Sequence, residues 1–302
     1  MLTAQLTRIT ARLSAVAADA GDALESGLRG FAIDLRKVSD NFVFADQKGV
    51  SSIANFDSQA PSLSGQSCYT GRLYSFTPDE VRSMPILSSD QKVIGVRFPA
   101  ELADAKTPMT FTVEAREEVG RRYRQYNQTG SRWDEIGQAT APWSSDSGKD
   151  LIFADAHATG NVYYIQVGKN LPHTRFGRWI DMRVDGDTYG TILAANKYFK
   201  QAVRGAPTAD LIQLSCFSAR NSAALQSSES LHSAGIGLTV HATENTLILE
   251  MTNGGGGEVG HIRQSGDTLH GFGSEVEASA AGLPVGSPWV EFKANQQSKL
   301  QD

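Results

Sequence analysis

Leu151-Ile152-Phe153-Ala154-Asp155-Ala156-His157 and Asp210-Leu211-Ile212-Gln213-Leu214-Ser215-Cys216 are the two stretches that decide the fold. Each is a short apolar run that ends in a chemically capable residue. Turn-forming residues follow both: Gly160 after the first, Ser218 to Asn221 after the second. Short apolar runs bounded by turns read as strands buried on both faces, as in a parallel sheet. In open α/β sheets the reactive crevice lies beyond the carboxyl ends of the strands. His157 and Cys216 both stand at that end.

The flanking sequence alternates in the same way. Asn161–Val167 and Ile180–Val184 read as strands. Thr188–Val203 reads as one helix, with Tyr189, Ile192, Leu193, Asn196, Phe199 and Val203 on a shared face and Asp187 as N-cap. Ser222–Ala234 is a second helix. Gly237–His241, Thr246–Met251 and Trp289–Phe292 are further strands. Strands alternating with helices predict a mostly parallel α/β sheet under helical cover.

Upstream, Val93–Phe98 and Met109–Val113 are strand candidates, and the charged stretch 114–126 reads as helix. A break at Pro142 to Gly148 places a domain boundary, giving 1–140 as a helical and mixed region and 141–302 as the α/β domain. Residues 1–38 carry a helical apolar stripe: Leu2, Leu6, Ile9, Leu13 and Val16, then Leu24, Leu28, Phe31, Leu35 and Val38. Amphipathic packing explains it; docking of a partner helix is the alternative.

The bulk numbers narrow the function. The chain has 302 residues and a formal net charge of −5. Its one basic cluster, Arg116 to Arg124, is interrupted by Glu117 and Glu118, so nucleic acid is not an expected partner. No apolar run is long enough to span a bilayer as a helix. The first residues do not have the pattern of a secretory leader, so export would need a specialised system. Two cysteines, Cys68 and Cys216, make no disulfide framework, and no Cys or His spacing suggests a metal site.

For Cys216 to be a nucleophile it must become a thiolate, which needs a base or a positive field. His157 is the candidate base. Asp155 precedes it by two residues, on the same side of an extended strand, where it could orient the imidazole or cap a turn. An isolated Cys or His is more often core or cap. Here Ser215 precedes the thiol and the small, polar stretch Ser218-Ala219-Arg220-Asn221 follows it, which is poor core sequence. Cys68, in Gly65-Gln66-Ser67-Cys68-Tyr69, has no base nearby in sequence and is expected to be dispensable.

An apolar strand ending in His, followed 59 positions on by an apolar strand ending in Ser-Cys, resembles the caspase–gingipain superfamily of cysteine peptidases. That superfamily includes legumains, separases and self-cleaving domains of bacterial toxins. LIFADAHATG and DLIQLSCFSA carry the resemblance, which extends over about residues 142–295. It implies a caspase-like fold and a cysteine endopeptidase acting on a protein or peptide substrate. Cys216 would be the nucleophile and His157 the general acid/base. Backbone amides near them would form the oxyanion hole, and no cofactor or metal is required. Ala158 stands where the family has glycine, with Gly160 the nearest glycine to replace it. The toxin-associated members imply a secreted bacterial effector or autoprocessing toxin. A catalytically inactive binding module of the same fold, and a deamidase or acyltransferase using the same dyad, are the competing readings.

Overall fold

A computed structural model of the chain describes residues 61–100, 108–129, 132–144, 150–169, 178–252, 268–278 and 284–294. The stripe expected over 1–38 lies outside them. Contacts divide the chain into Met1–Gln59 and Ala60–Asp302, and the described residues all belong to the second unit.

Before residue 150 run β1 (Leu63–Ser67), β2 (Leu73–Phe76), β3 (Met84–Leu87), β4 (Val93–Phe98), β5 (Met109–Phe111), α1 (Val113–Val119), β6 (Arg122–Thr129) and β7 (Arg132–Thr140). Then come β8 (Leu151–Ala158), β9 (Tyr163–Lys169), β10 (Arg178–Val184), α2 (Gly186–Ala195), α3 (Lys197–Gly205), β11 (Asp210–Leu214), α4 (Ala223–Ser233) and β12 (Thr239–Thr243). The last strands are β13 (Leu247–Thr252), β14 (Thr268–Glu275), β15 (Glu277–Ala278), β16 (Pro284–Val285) and β17 (Trp289–Phe292).

The α/β class holds, but the sheet is mixed rather than mostly parallel. Fifteen of these strands form one sheet, and antiparallel pairings such as β9–β10, β6–β7 and β13–β14 join parallel ones. Its parallel part is compact. β4, β8, β11 and β12 lie side by side in one direction, and β17 closes that edge antiparallel. These four strands carry near-continuous apolar runs because both of their faces are covered. Ala154, Ala156 and Leu211 face Tyr189, Ile192, Leu193, Phe199 and Leu231 of α2, α3 and α4. Phe153, Ile212 and Leu214 face Leu247, Leu249, Leu269 and Phe272, so β13 and β14 fold back over the opposite side. Burying a residue of this size contributes about 1.5–3 kcal/mol. β4 approaches β8 so closely at Gly95 that a Cβ there would lie 2.1 Å from the Phe153 carbonyl oxygen.

The division expected at 140/141 falls inside the unit Ala60–Asp302. β4, from the first part, pairs directly with β8, from the second. Local differences have local causes. The helix expected over 188–203 is two helices, because Asn196 ends α2 and caps α3, its side-chain oxygen accepting from the Tyr198 and Phe199 amides at 2.9 and 3.2 Å. Asp185, not Asp187, caps α2 by accepting from the Thr188 amide at 2.8 Å. Asp187 instead accepts a hydrogen bond from Ser230 on α4. The charged stretch 114–126 begins as α1 and, past Gly120, becomes β6, whose Tyr123 and Gln125 alternate inward. Among the described residues no helix is long and apolar enough to cross a membrane.

Candidate functional site

The site is set by the register of β8 against β11. The parallel ladder pairs Phe153 with Ile212 and Asp155 with Leu214. Two residues further on stand His157, still on β8, and Cys216, in the turn after β11 and packed against the cluster that holds Phe153, Ile212 and Leu214. Neighbouring strands run about 4.8 Å apart, and residues two apart share a face. His157 and Cys216 therefore leave the same end of adjacent strands, on the face of Asp155 and Leu214. Both are partly exposed.

β11 ends at Leu214, and the chain turns at Cys216. Phe217 has φ +56°, a left-handed conformation uncommon outside glycine. The turn is pinned: the Phe217 amide donates to Asn245 O at 3.0 Å, the Ala219 amide to Thr243 O at 3.0 Å, and Arg220 lies over the Phe217 ring. The Leu247 amide donates to Cys216 Sγ at 3.4 Å, and the thiol lies 3.8 Å from the Leu247 carbonyl oxygen. Strain held next to a reactive group is a common feature of working sites.

The supporting residues fall into distinct places. Asp155 is buried and ion-paired to Arg97 of β4 at 2.9 Å, the two side chains being only 3% and 4% exposed. Arg97 and Asp155 are ladder partners, so this pair lies one pleat below His157. Ser215 is fully buried, and its carbonyl accepts from the Ser218 hydroxyl at 3.3 Å. Ala158 continues β8 as the ladder partner of Tyr163, with its methyl in the core under the helices. That position is extended and has room for a side chain. Gly160 sits in the turn after β8, against the loop that follows Cys216. Its carbonyl accepts from the Ala223 amide at 3.1 Å, and a Cβ would meet Asn221 at 2.7 Å. Gly160 thus joins the two loops.

Arg97 was legible only as a charge inside an apolar strand, Val93-Ile94-Gly95-Val96-Arg97-Phe98. Gln213 carries the same signal within β11. It accepts from the Tyr163 hydroxyl at 2.7 Å and donates to Ser227 at 2.8 Å, a buried chain that ties β9, β11 and α4 together beneath the site.

Cys68 lies elsewhere, exposed in the turn after β1. Partial desolvation and the nearby Asp181 carboxylate push its thiol above the ordinary cysteine value, against the pull of Arg183. Reaction with iodoacetamide needs the thiolate. In the Cys216→Ala protein, alkylation of Cys68 should therefore rise with pH through a midpoint above that of a free cysteine peptide. A midpoint at or below the peptide's would contradict this environment.

Comparison of the chain with family models, curated proteins and solved structures returns no match.

Proposed function

We propose that the protein is a cysteine endopeptidase in which Cys216 is the nucleophile and His157 the general acid/base. One observation carries the reading: the β8–β11 register, which sets a thiol and an imidazole at the same end of neighbouring strands. The resemblance to the caspase–gingipain superfamily, carried by the same two strands, agrees with it and suggests a bacterial effector or a self-cleaving toxin as the setting.

The chemistry balances without a cofactor. His157 takes the thiol proton, and the sulfur of Cys216 attacks the scissile carbonyl carbon. The C–S bond forms, and the carbonyl electron pair moves to oxygen. The Phe217 and Ala219 amides are committed to the fold, so oxyanion stabilisation falls to the Cys216 amide and its neighbours near His157. The tetrahedral species collapses, the C–N bond breaks, and His157 gives its proton to the leaving amine. Water, deprotonated by His157, then hydrolyses the thioester.

A binding module that keeps the architecture but not the chemistry is the second reading. The same thiol favours it, because Cys216 packs against the core and against both polar groups of the Leu247 backbone. A thiol-directed electrophile with a peptide recognition element, such as an acyloxymethyl ketone, separates the two. The expected result is one adduct at Cys216, formed at least about a hundredfold faster than at Cys68 and lost in His157→Ala. Equal labelling of the two cysteines, independent of His157, favours the binding module.

A further inference from the structure

His157 begins a row that runs away from the parallel core. It is the ladder partner of Tyr164 on β9; Tyr164 pairs with Arg183 on β10, Arg183 with Gln66 on β1, and Gln66 with Leu73 on β2. Directly opposed residues of antiparallel strands share a face. The helices cover the other face of these strands, where Tyr163, Ile165, Met182 and Val184 are buried. On the row's own face lies a groove of about 570 Å³ lined by Thr159, Tyr164, Arg183, Gln66, Leu73 and Asp185, among others. Thr159 follows His157 by two residues, so the groove begins at the end of β8 that carries His157, with Cys216 across β8 on the β11 side. Leu73, 76% exposed, stands at its far end.

The charges in the groove are unequally occupied. Asp185 is engaged as the cap of α2. Asp181, on the same face, accepts from Tyr69 at 2.6 Å and from Gln166 at 2.8 Å. Arg183 is exposed and donates only its Nε, to Gln66 at 2.7 Å, which fixes the plane of the guanidinium. Among the described residues neither terminal nitrogen has a partner. A guanidinium held at one edge and open at the other two nitrogens suits a carboxylate.

We propose that this groove is a substrate subsite in which Arg183 binds an acidic side chain of an extended peptide. The proposal rests on the peptidase reading for the identity of its occupant. Arg183 is two strands from His157, or about 10 Å, which an extended chain covers in about three residues. Cys216 is one strand further on, so the acidic residue lies about three to four positions from the scissile bond, not at it. Continuity with the dyad selects a substrate peptide over an unrelated ligand.

The test is cleavage of a proteome-derived peptide library by the full chain, with the cut sites read by mass spectrometry. Asp and Glu should be enriched about fivefold near the third or fourth position from the cut, as expected of a partly solvated ion pair. The enrichment should shrink at high salt. It should vanish in Arg183→Gln and turn toward Lys and Arg in Arg183→Glu. Identical profiles for all three proteins overturn the subsite and leave the peptidase reading standing. If nothing is cleaved, the same proteins are titrated with a fluorescein-labelled pool of Asp-containing peptides and with its Asn counterpart. Preference for the acidic pool, lost in Arg183→Gln, keeps the subsite and overturns the peptidase reading. Equal binding, or none, overturns both.

Discussion

Cys216→Ala is expected to abolish the proposed cleavage, and His157→Ala alone to do the same, with kcat/KM falling by at least about 10³-fold in each. Alanine at 216 removes the only atom that can form the thioester. Alanine at 157 leaves nothing to take the thiol proton or to protonate the leaving amine. The two residues act as one unit, so the double variant should be no slower than either single one. Self-cleavage, or the library peptides above, supplies the rate. Circular dichroism and a thermal melt must first show that each variant is folded. Activity that survives in folded Cys216→Ala ends the peptidase assignment and leaves the binding module in its place.

The second large effect is on stability. Arg97 and Asp155 form an ion pair with almost no exposure. Removing either partner alone leaves a charge buried without its counterion, which costs about 3–5 kcal/mol. Arg97→Leu and Asp155→Leu should each lose that much in urea denaturation. The double variant Arg97→Leu/Asp155→Leu should recover most of it, because two apolar side chains of fair size can share the space. Losses that simply add would mean the two charges do not stabilise one another. The double variant also separates stability from chemistry, since Asp155 lies one pleat below His157. If it folds but kcat drops by about tenfold or more at unchanged KM, Asp155 also positions the imidazole.

The central parallel strands were legible in the sequence because they are buried on both faces. β8 and β11 are covered above and below, so their runs are mostly apolar, broken only by Asp155 and Gln213, and their ends are sharp. His157 and Cys216 were found because they break such runs. In the rest of the sheet, β5 and β13 were legible but β6, β7 and β14 were not. β6 puts Tyr123 and Gln125 inward but Arg122 and Arg124 on its other face, so it reads as a continuation of the charged helix before it. Glu118 and Glu250 hold Arg124 on that face, with Tyr126 on Glu250, a network that only the folded chain assembles. The break at Asn196 was hidden because an amphipathic stripe runs through it unchanged. The direction of each strand pair, parallel or not, depends on connections too distant for periodicity to report.

β4 lies in the chain before residue 140, yet it flanks β8 inside the parallel core. A fragment that begins at 141 would carry His157 and Cys216 but no β4. One whole side of β8 would then be bare, its amides and carbonyls facing water beside Phe153 and Ile152. Such an edge is a template for another copy of itself. The piece of chain that holds both reacting side chains is therefore not a heritable module that can be cut out and grafted. It would be sticky when isolated, and the smallest portable unit includes the strands from Met84 onward.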